Sequence, residues 1–361
     1  MPLICVVRTR PRLIRRVGIL GLVATATLMG LAAPSPMPVP GNCPKILMFD
    51  GLEIQTQNNE QMAQYWGQKI GVDGFFVDNV MSGWDNSVGD DESSPIYQKV
   101  KGFQKLYSKY GVTDNFIKVA VYKAHDWRNA ADQKRVIANF HQAAHLAKYA
   151  GMKGLALDLE PYIRDYWNED PAIPDKPQRL LALGRGIGGA IISEFPDATI
   201  IVLQEFLIYE VPSYHNAAGR KAYALCSYFW DGFVQAHFKR LIIATEDSSY
   251  NGARPDSVAT RVQDTYRSNL LRNGVDPSSV SVGLGIWPLA KTRTDKSARI
   301  PAAKFEEWLR LALQQQSPYV WIYGQGSGWQ KDGPFAKGDV DPHFEDYVQV
   351  IHRIKKSCSG G

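Results

Sequence analysis

Eight short apolar runs, rich in β-branched and aromatic residues, recur along this chain, and a longer amphipathic segment follows each of them. The runs are KILMFDG (45–51), GFFVDNV (74–80), FIKVAVY (116–122), GLALDLE (154–160), TIIVLQEF (199–206), LIIATED (241–247), VSVGLGIW (280–287) and YVWIYG (319–324). Runs of that length and composition read as strands. The segments between them have helical spacing, as in DQKRVIANFHQAAHLAKYAG, where Val136, Phe140, Ala143, Ala144 and Ala147 share one face and Gly151 supplies a stop. Likewise PAAKFEEWLRLALQQQ opens on Pro301 and sets Phe305, Trp308, Leu309 and Ala312 together. Eight strands, each followed by a helix, predict a single-domain (β/α)8 TIM barrel over residues 45–358. The rival is an open doubly wound sheet, but no glycine-rich phosphate loop follows the first run.

Residues 1–33 read as an address rather than as part of the barrel. Arg8, Arg10, Arg12, Arg15 and Arg16 precede the apolar stretch Val17 to Leu31, and Ala32 and Ala33 come just before Pro34. This is the pattern of a cleaved export signal and predicts a secreted or periplasmic protein. An uncleaved membrane anchor is the other reading, although the stretch is short against the roughly 20 residues of a span. Arg15–Arg16 is a weak twin-arginine cue. The proline-rich segment 34–44 is a linker. The five leader arginines account for the whole formal charge of +5, so the mature chain is close to neutral. That leaves no basic surface to suggest nucleic acid, and no later run is long enough for a membrane. Of the four cysteines, Cys5 leaves with the leader, and Cys226 sits on a helical stretch as a small apolar residue. Cys43 and Cys358 flank the barrel and would either staple its ends together in an oxidising compartment or remain as two thiols.

Active sites in this fold lie at the C-terminal ends of the strands. Asp50, Asp78, Asp158, Glu160, Glu205, Glu246 and Asp247 all fall at or near such ends, and the N-terminal ends show no comparable accumulation. In the fourth strand, alternation sends Leu155, Leu157 and Leu159 outward and Ala156, Asp158 and Glu160 inward. The two acids would have Cα atoms about 6.6 Å apart. They are close enough for the more buried one to keep a proton near neutrality, a division of labour that glycosidic cleavage uses. The plainer alternative is that lysine or arginine from a neighbouring strand neutralises these carboxylates and they only hold the barrel together.

Aromatic residues collect after the same strands: Trp84, Trp127, Tyr162, Tyr166, Trp167, Tyr250, Trp287 and Trp329, with Trp321 and Tyr323 in the eighth strand. Flat rings beside carboxylates suit the apolar faces of sugars. Several of them could equally pack long loops against the rim. Trp66, Trp230 and Trp308 lie on helical segments and read as core. Other chemistries find less support. The first strand lacks a His-x-His metal pair, His141 and His145 lack the glutamate of a metalloprotease helix and read as a solvated face, and GQGSGW lacks nucleophile-elbow spacing. No cofactor or metal is expected. His125, next to Asp126, is a candidate substrate contact.

The stretch KGLALDLEPY resembles the fourth-strand signature of glycoside hydrolase family 18, the chitinases and their relatives, Asp-Gly-x-Asp-x-Asp-x-Glu. Asp158 matches its last Asp and Glu160 its Glu; Lys153 and Ala156 stand where the two earlier aspartates would be. The resemblance implies that Glu160 protonates the leaving oxygen and that Asp158 orients an N-acetyl group acting as internal nucleophile. Trp321 is broadly similar to that family's aromatic floor. Glu160–Pro161 also resembles the Asn-Glu-Pro of the large retaining clan, whose strand-seven glutamate has no counterpart in VSVGLGIWPL.

The expectation is therefore a glycoside hydrolase acting on a poly- or oligosaccharide. Glu160 would be the general acid, Asp158 its partner, and Asp78, Glu205 or Glu246 a second carboxylate, with Asp50, Trp84, His125, Trp127, Tyr162, Trp287, Trp321 and Tyr323 binding substrate. The competing expectation is a non-catalytic carbohydrate-binding barrel.

Overall fold

The computed structural model describes residues 43–55, 57–81, 83–120, 126, 128–160, 166–203, 207, 224–245, 254–288, 300–315, 317–324, 329 and 344–359, without the side chains of 50–53 and 359. All of them belong to one compact unit, Val39–Gly361. Within it the strands β1 (Lys45–Glu53), β2 (Gly74–Asp78), β3 (Phe116–Ala120), β4 (Gly154–Asp158), β5 (Thr199–Leu203), β6 (Arg240–Thr245), β7 (Val280–Ile286) and β8 (Tyr319–Tyr323) pair in parallel and close into a barrel in chain order. The helices between and after them are α1 (Glu60–Gln64), which continues as a π-helical turn to Ile70, α2 (Pro95–Ser108), α3 (Ala130–Ala150), α4 (Lys176–Glu194), α5 (Cys226–Phe233), α6 (Pro255–Arg272), α7 (Ala302–Leu313) and α8 (Phe344–Ser359). The expected (β/α)8 TIM barrel is therefore what the chain forms.

Period-two alternation explains the layering. One set of side chains, including Phe49, Phe76, Phe116, Ala156, Ile201 and Trp321, fills the barrel interior. The other set, including Leu155, Leu157, Ile200 and Val202, packs outward against the helices. Trp66, Trp230 and Trp308 are buried in that outer layer, as helical spacing requires. The longest helix is capped at both ends: Asn129 accepts the backbone N–H groups of Ala131 and Asp132 at the start of α3, and Gly151 ends that helix in a left-handed turn.

Cys43 and Cys358 form a disulfide, with Cα atoms 5.6 Å apart and a sequence separation of 315. Cys358 lies in the last turn of α8, so the bond ties the entry to β1 to the final helix. Closing so long a loop removes entropy from the unfolded chain. Replacing both cysteines by serine is expected to lower the unfolding free energy by about 2–5 kcal/mol. Denaturant titration would show this as a lower midpoint, and an unchanged midpoint would contradict it.

Candidate active site

The end of β4 is built as alternation demands. Leu155, Leu157 and Leu159 are buried in the outer layer, while Ala156 faces the barrel interior. Asp158 ends the strand with only 3 % of its surface exposed. Glu160 is half-buried two residues beyond, and its backbone N–H donates to Asp158 Oδ1 at 3.2 Å. The indole N–H of Trp167 donates to the Leu159 carbonyl at 2.8 Å, fixing the residue between the two acids.

β3 supplies the group that balances Asp158. Lys118 pairs in register with Ala156, whose small side chain leaves room for the lysine stem to run inside the barrel. The ammonium lies 2.8 Å from Asp78 Oδ1 at the end of β2 and 3.9 Å from Asp158 Oδ2. It also sits 4.5 Å above the centre of the Phe49 ring, and Lys118 is only 6 % exposed. Two carboxylates on strands β2 and β4 thus face one ammonium on the strand between them.

Burial pushes the Asp158 carboxyl above the usual carboxylate range. Lys118 and the Glu160 N–H oppose that rise, and the charge on Asp78 adds to it. An acid raised in this way binds its proton more tightly folded than unfolded. Its contribution to stability is full below the unfolded carboxylate value and is lost as pH rises through the folded one. Asp158→Asn should remove that loss, so the melting temperature of the variant relative to the natural chain should climb as pH rises from the ordinary carboxylate range, about pH 4, through the higher folded value. Thermal melts across that range test this, and a difference that stays constant would contradict it.

The aromatic residues divide into two groups. Trp321 is buried inside the barrel, where its indole N–H donates to the Gly283 carbonyl at 3.1 Å. Gly285 on β7 makes the space for it, since a Cβ there would run into the Trp321 ring. Above it Tyr323 stands edge-on to Phe49 at 5.2 Å and to Trp287 at 4.7 Å, forming an aromatic layer at the mouth. Trp84 is placed differently from the expectation of a sugar platform. It is 1 % exposed and lodged among Phe140, Tyr166, Trp167 and Phe229 in the outer layer. The reason is that the loop after β2 turns over the helices, so Trp84 N–H donates to the Ala120 carbonyl and the Trp84 carbonyl accepts from Asn139. Tyr166, Trp167 and Trp329 are buried as well.

Two further expectations are corrected. The N-terminal end of the barrel does hold acids: Asp73 and Asp114, both buried. Both have structural work there: Asp73 accepts the Ile46 N–H at 2.9 Å and pairs with Lys355 at 2.9 Å, and Asp114 accepts the Tyr319 hydroxyl at 2.8 Å. His141 and His145 are not merely a solvated face. Both contact the Glu194 carboxylate, at 3.5 and 3.0 Å, and His145 also reaches Glu92 at 3.3 Å, which joins α3 to the end of α4. Glu205, Glu246, His125, Trp127 and Tyr162 lie outside the described residues, as does the side chain of Asp50.

Sequence spacing therefore located Asp158, Glu160, Asp78 and the β8 aromatics and placed Trp167 among the rings that follow the strands, but it passed over Lys118 and the role of Trp167 in fixing the β4 end. Lys118 was findable: it shares the inward face of FIKVAVY with Phe116, and a lysine pointing into a barrel needs a carboxylate partner. The hydrogen bond of Trp167 to Leu159 carried no such signal, because it depends on the path of the loop after β4.

No protein-family model matches the chain, and no curated protein matches it. Solved structures do. The catalytic domain of a hyperthermophilic chitinase from Pyrococcus furiosus superposes with a TM-score of 0.51 at 10% identity, covering 89% of this chain and 99% of that one. An endo-β-1,4-mannanase from Thermotoga petrophila gives 0.52 at 10% identity over 89% of this chain and 78% of that one. At such identities the likeness is one of fold: this chain has the (β/α)8 architecture on which those two glycosidases are built.

Proposed function

We propose that the mature chain is a glycoside hydrolase that cuts O-glycosidic bonds in a poly- or oligosaccharide, with Glu160 as general acid and Asp158 as its orienting partner. The observation that carries this reading is the pair itself: a buried carboxylate at the mouth of the barrel, tied by one hydrogen bond to the backbone of a half-buried glutamate. Buried acids at this end of the fold are costly unless they are paired or have a task. Glu160, less buried than Asp158, would be the one to meet a leaving oxygen. Trp321 would form the floor, and Tyr323 and Trp287 the wall against which a sugar face could lie. The fold neighbours, a chitinase and an endo-β-1,4-mannanase, are compatible with this chemistry. Residues 1–33 would direct export to a secreted or periplasmic location and 34–44 would act as a linker.

Asp78 fits poorly as nucleophile or base, because its carboxylate is held by Lys118 at 2.8 Å. A second catalytic carboxylate would then be Glu205 or Glu246, unless a group on the substrate takes that part. The ion pair also favours the second reading, a carbohydrate-binding barrel without catalysis, in which the mouth acids serve as scaffold. Incubating the mature protein with a polysaccharide panel separates the two. Release of new reducing ends from at least one glycan is the expected result, and saturable binding with no release would establish the non-catalytic reading.

A further inference from the structure

One peptide group joins Leu159 to Glu160, and both of its polar atoms are gripped. The carbonyl accepts the Trp167 indole N–H at 2.8 Å, and the N–H donates to Asp158 Oδ1 at 3.2 Å. In a planar trans peptide these atoms point in opposite directions, so the two bonds hold the plane from opposite sides and oppose its rotation. Glu160 is also followed directly by Pro161, and a residue before proline is pushed toward extended backbone. The direction in which the Glu160 side chain leaves the end of β4 is therefore set by its backbone.

The outer of the two grips is itself firmly seated. Trp167 is fully buried, so its ring cannot lie against a sugar. It packs against Tyr166 at 5.0 Å, Phe229 of α5 at 5.4 Å and Trp84 at 6.2 Å between ring centres. Its carbonyl accepts the Leu225 N–H at 2.8 Å, just ahead of α5, and the next carbonyl, of Asn168, accepts the Lys176 ammonium at 2.6 Å, at the start of α4. A ring braced by the loop after β2, the loop after β4 and α5 thus presents its one donor to the backbone beside Glu160.

We propose that Trp167 is a positioning residue: its indole N–H locks the Leu159–Glu160 peptide plane and so holds the Glu160 carboxyl within reach of a leaving oxygen. The inference rests on the reading of Glu160 as the acid. Proton transfer needs the donor within hydrogen-bond reach, and a misplacement of about 1 Å can cost about 10²-fold in rate. A half-buried glutamate has side-chain freedom of its own, which makes a fixed backbone the more important.

The test removes the N–H and little else. In the full-length protein, Trp167 is replaced by benzothienylalanine through stop-codon suppression, which puts sulfur in place of the indole N–H and keeps the size and shape of the ring. Hydrogen exchange of the Glu160 amide should quicken by about 10-fold, the order expected when one hydrogen bond is lost. On a glycan that the natural chain cleaves, kcat should fall by about 10-fold or more while KM changes by less than about twofold. Trp167→Phe should act in the same direction, with a lower melting temperature as well; if it does not fold, the benzothienylalanine protein decides. Quickened exchange with kcat unchanged would make the clamp purely structural and overturn the proposal. Unchanged exchange at the Glu160 amide would overturn the clamp itself, even in an active enzyme. Quickened exchange in a protein whose natural form cleaves no glycan would uphold the clamp and refute the catalytic reading, which separates the two failures.

Discussion

Glu160→Gln is expected to lower kcat on a cleavable glycan by about 10²–10⁴-fold while leaving the melting temperature and the affinity for that glycan nearly unchanged. Glutamine keeps the size and hydrogen-bonding reach of glutamate but has no proton to give to a leaving oxygen. The fold should tolerate it, because Glu160 is only half-buried and the contact that fixes the β4 end uses its backbone N–H, which the substitution retains. Steady-state kinetics, a binding titration and a thermal melt on the same preparation distinguish the outcomes. Full activity would remove Glu160 from the acid role; loss of activity together with collapse of the melt would assign it to scaffolding.

The largest effect on stability is expected at the floor of the mouth. Trp321→Ala should cost about 3–5 kcal/mol, within the range for truncating a large core aromatic. The indole is fully buried and donates to the Gly283 carbonyl. It also lies about 6 Å, centre to centre, from Phe49 (6.1 Å), Phe76 (6.0 Å) and Tyr323 (6.0 Å). No neighbour can slide into the gap easily, since the strand across from it carries glycines at 283 and 285 where a side chain would otherwise reach in. Chemical denaturation measures the loss, and a cost below about 1 kcal/mol would mean that the interior collapses around the cavity. Because Tyr323 rests on this ring, carbohydrate affinity should fall in the same variant even where the protein remains folded.

The barrel was legible because burial imposes two periods that a sequence cannot hide. GLALDLE alternates leucine with small or acidic residues and yields one outward and one inward face, and the starts of seven of the eight strands coincide with the apolar runs. The same alternation identified Asp158 and, had it been applied to FIKVAVY, would have identified Lys118. Trp84 was not legible. Its position after a strand says nothing of whether the loop opens into the mouth or folds over α3, and the bonds to Ala120 and Asn139 that decide the matter are long-range. Asp73 and Asp114 were missed for a related reason. Each precedes its strand by a residue or more, outside the apolar run, yet is buried by Lys355 and Tyr319 arriving from the other end of the chain.

One measurement bears on the central claim most directly: a crystal structure of the Glu160→Gln variant with an oligosaccharide of the glycan it recognises. The account predicts a sugar seated over Trp321 and Tyr323, with a glycosidic oxygen about 2.6–3.2 Å from the side chain at position 160. An oligosaccharide bound away from this mouth, or bound in it with no glycosidic oxygen in reach of that side chain, would contradict the assignment.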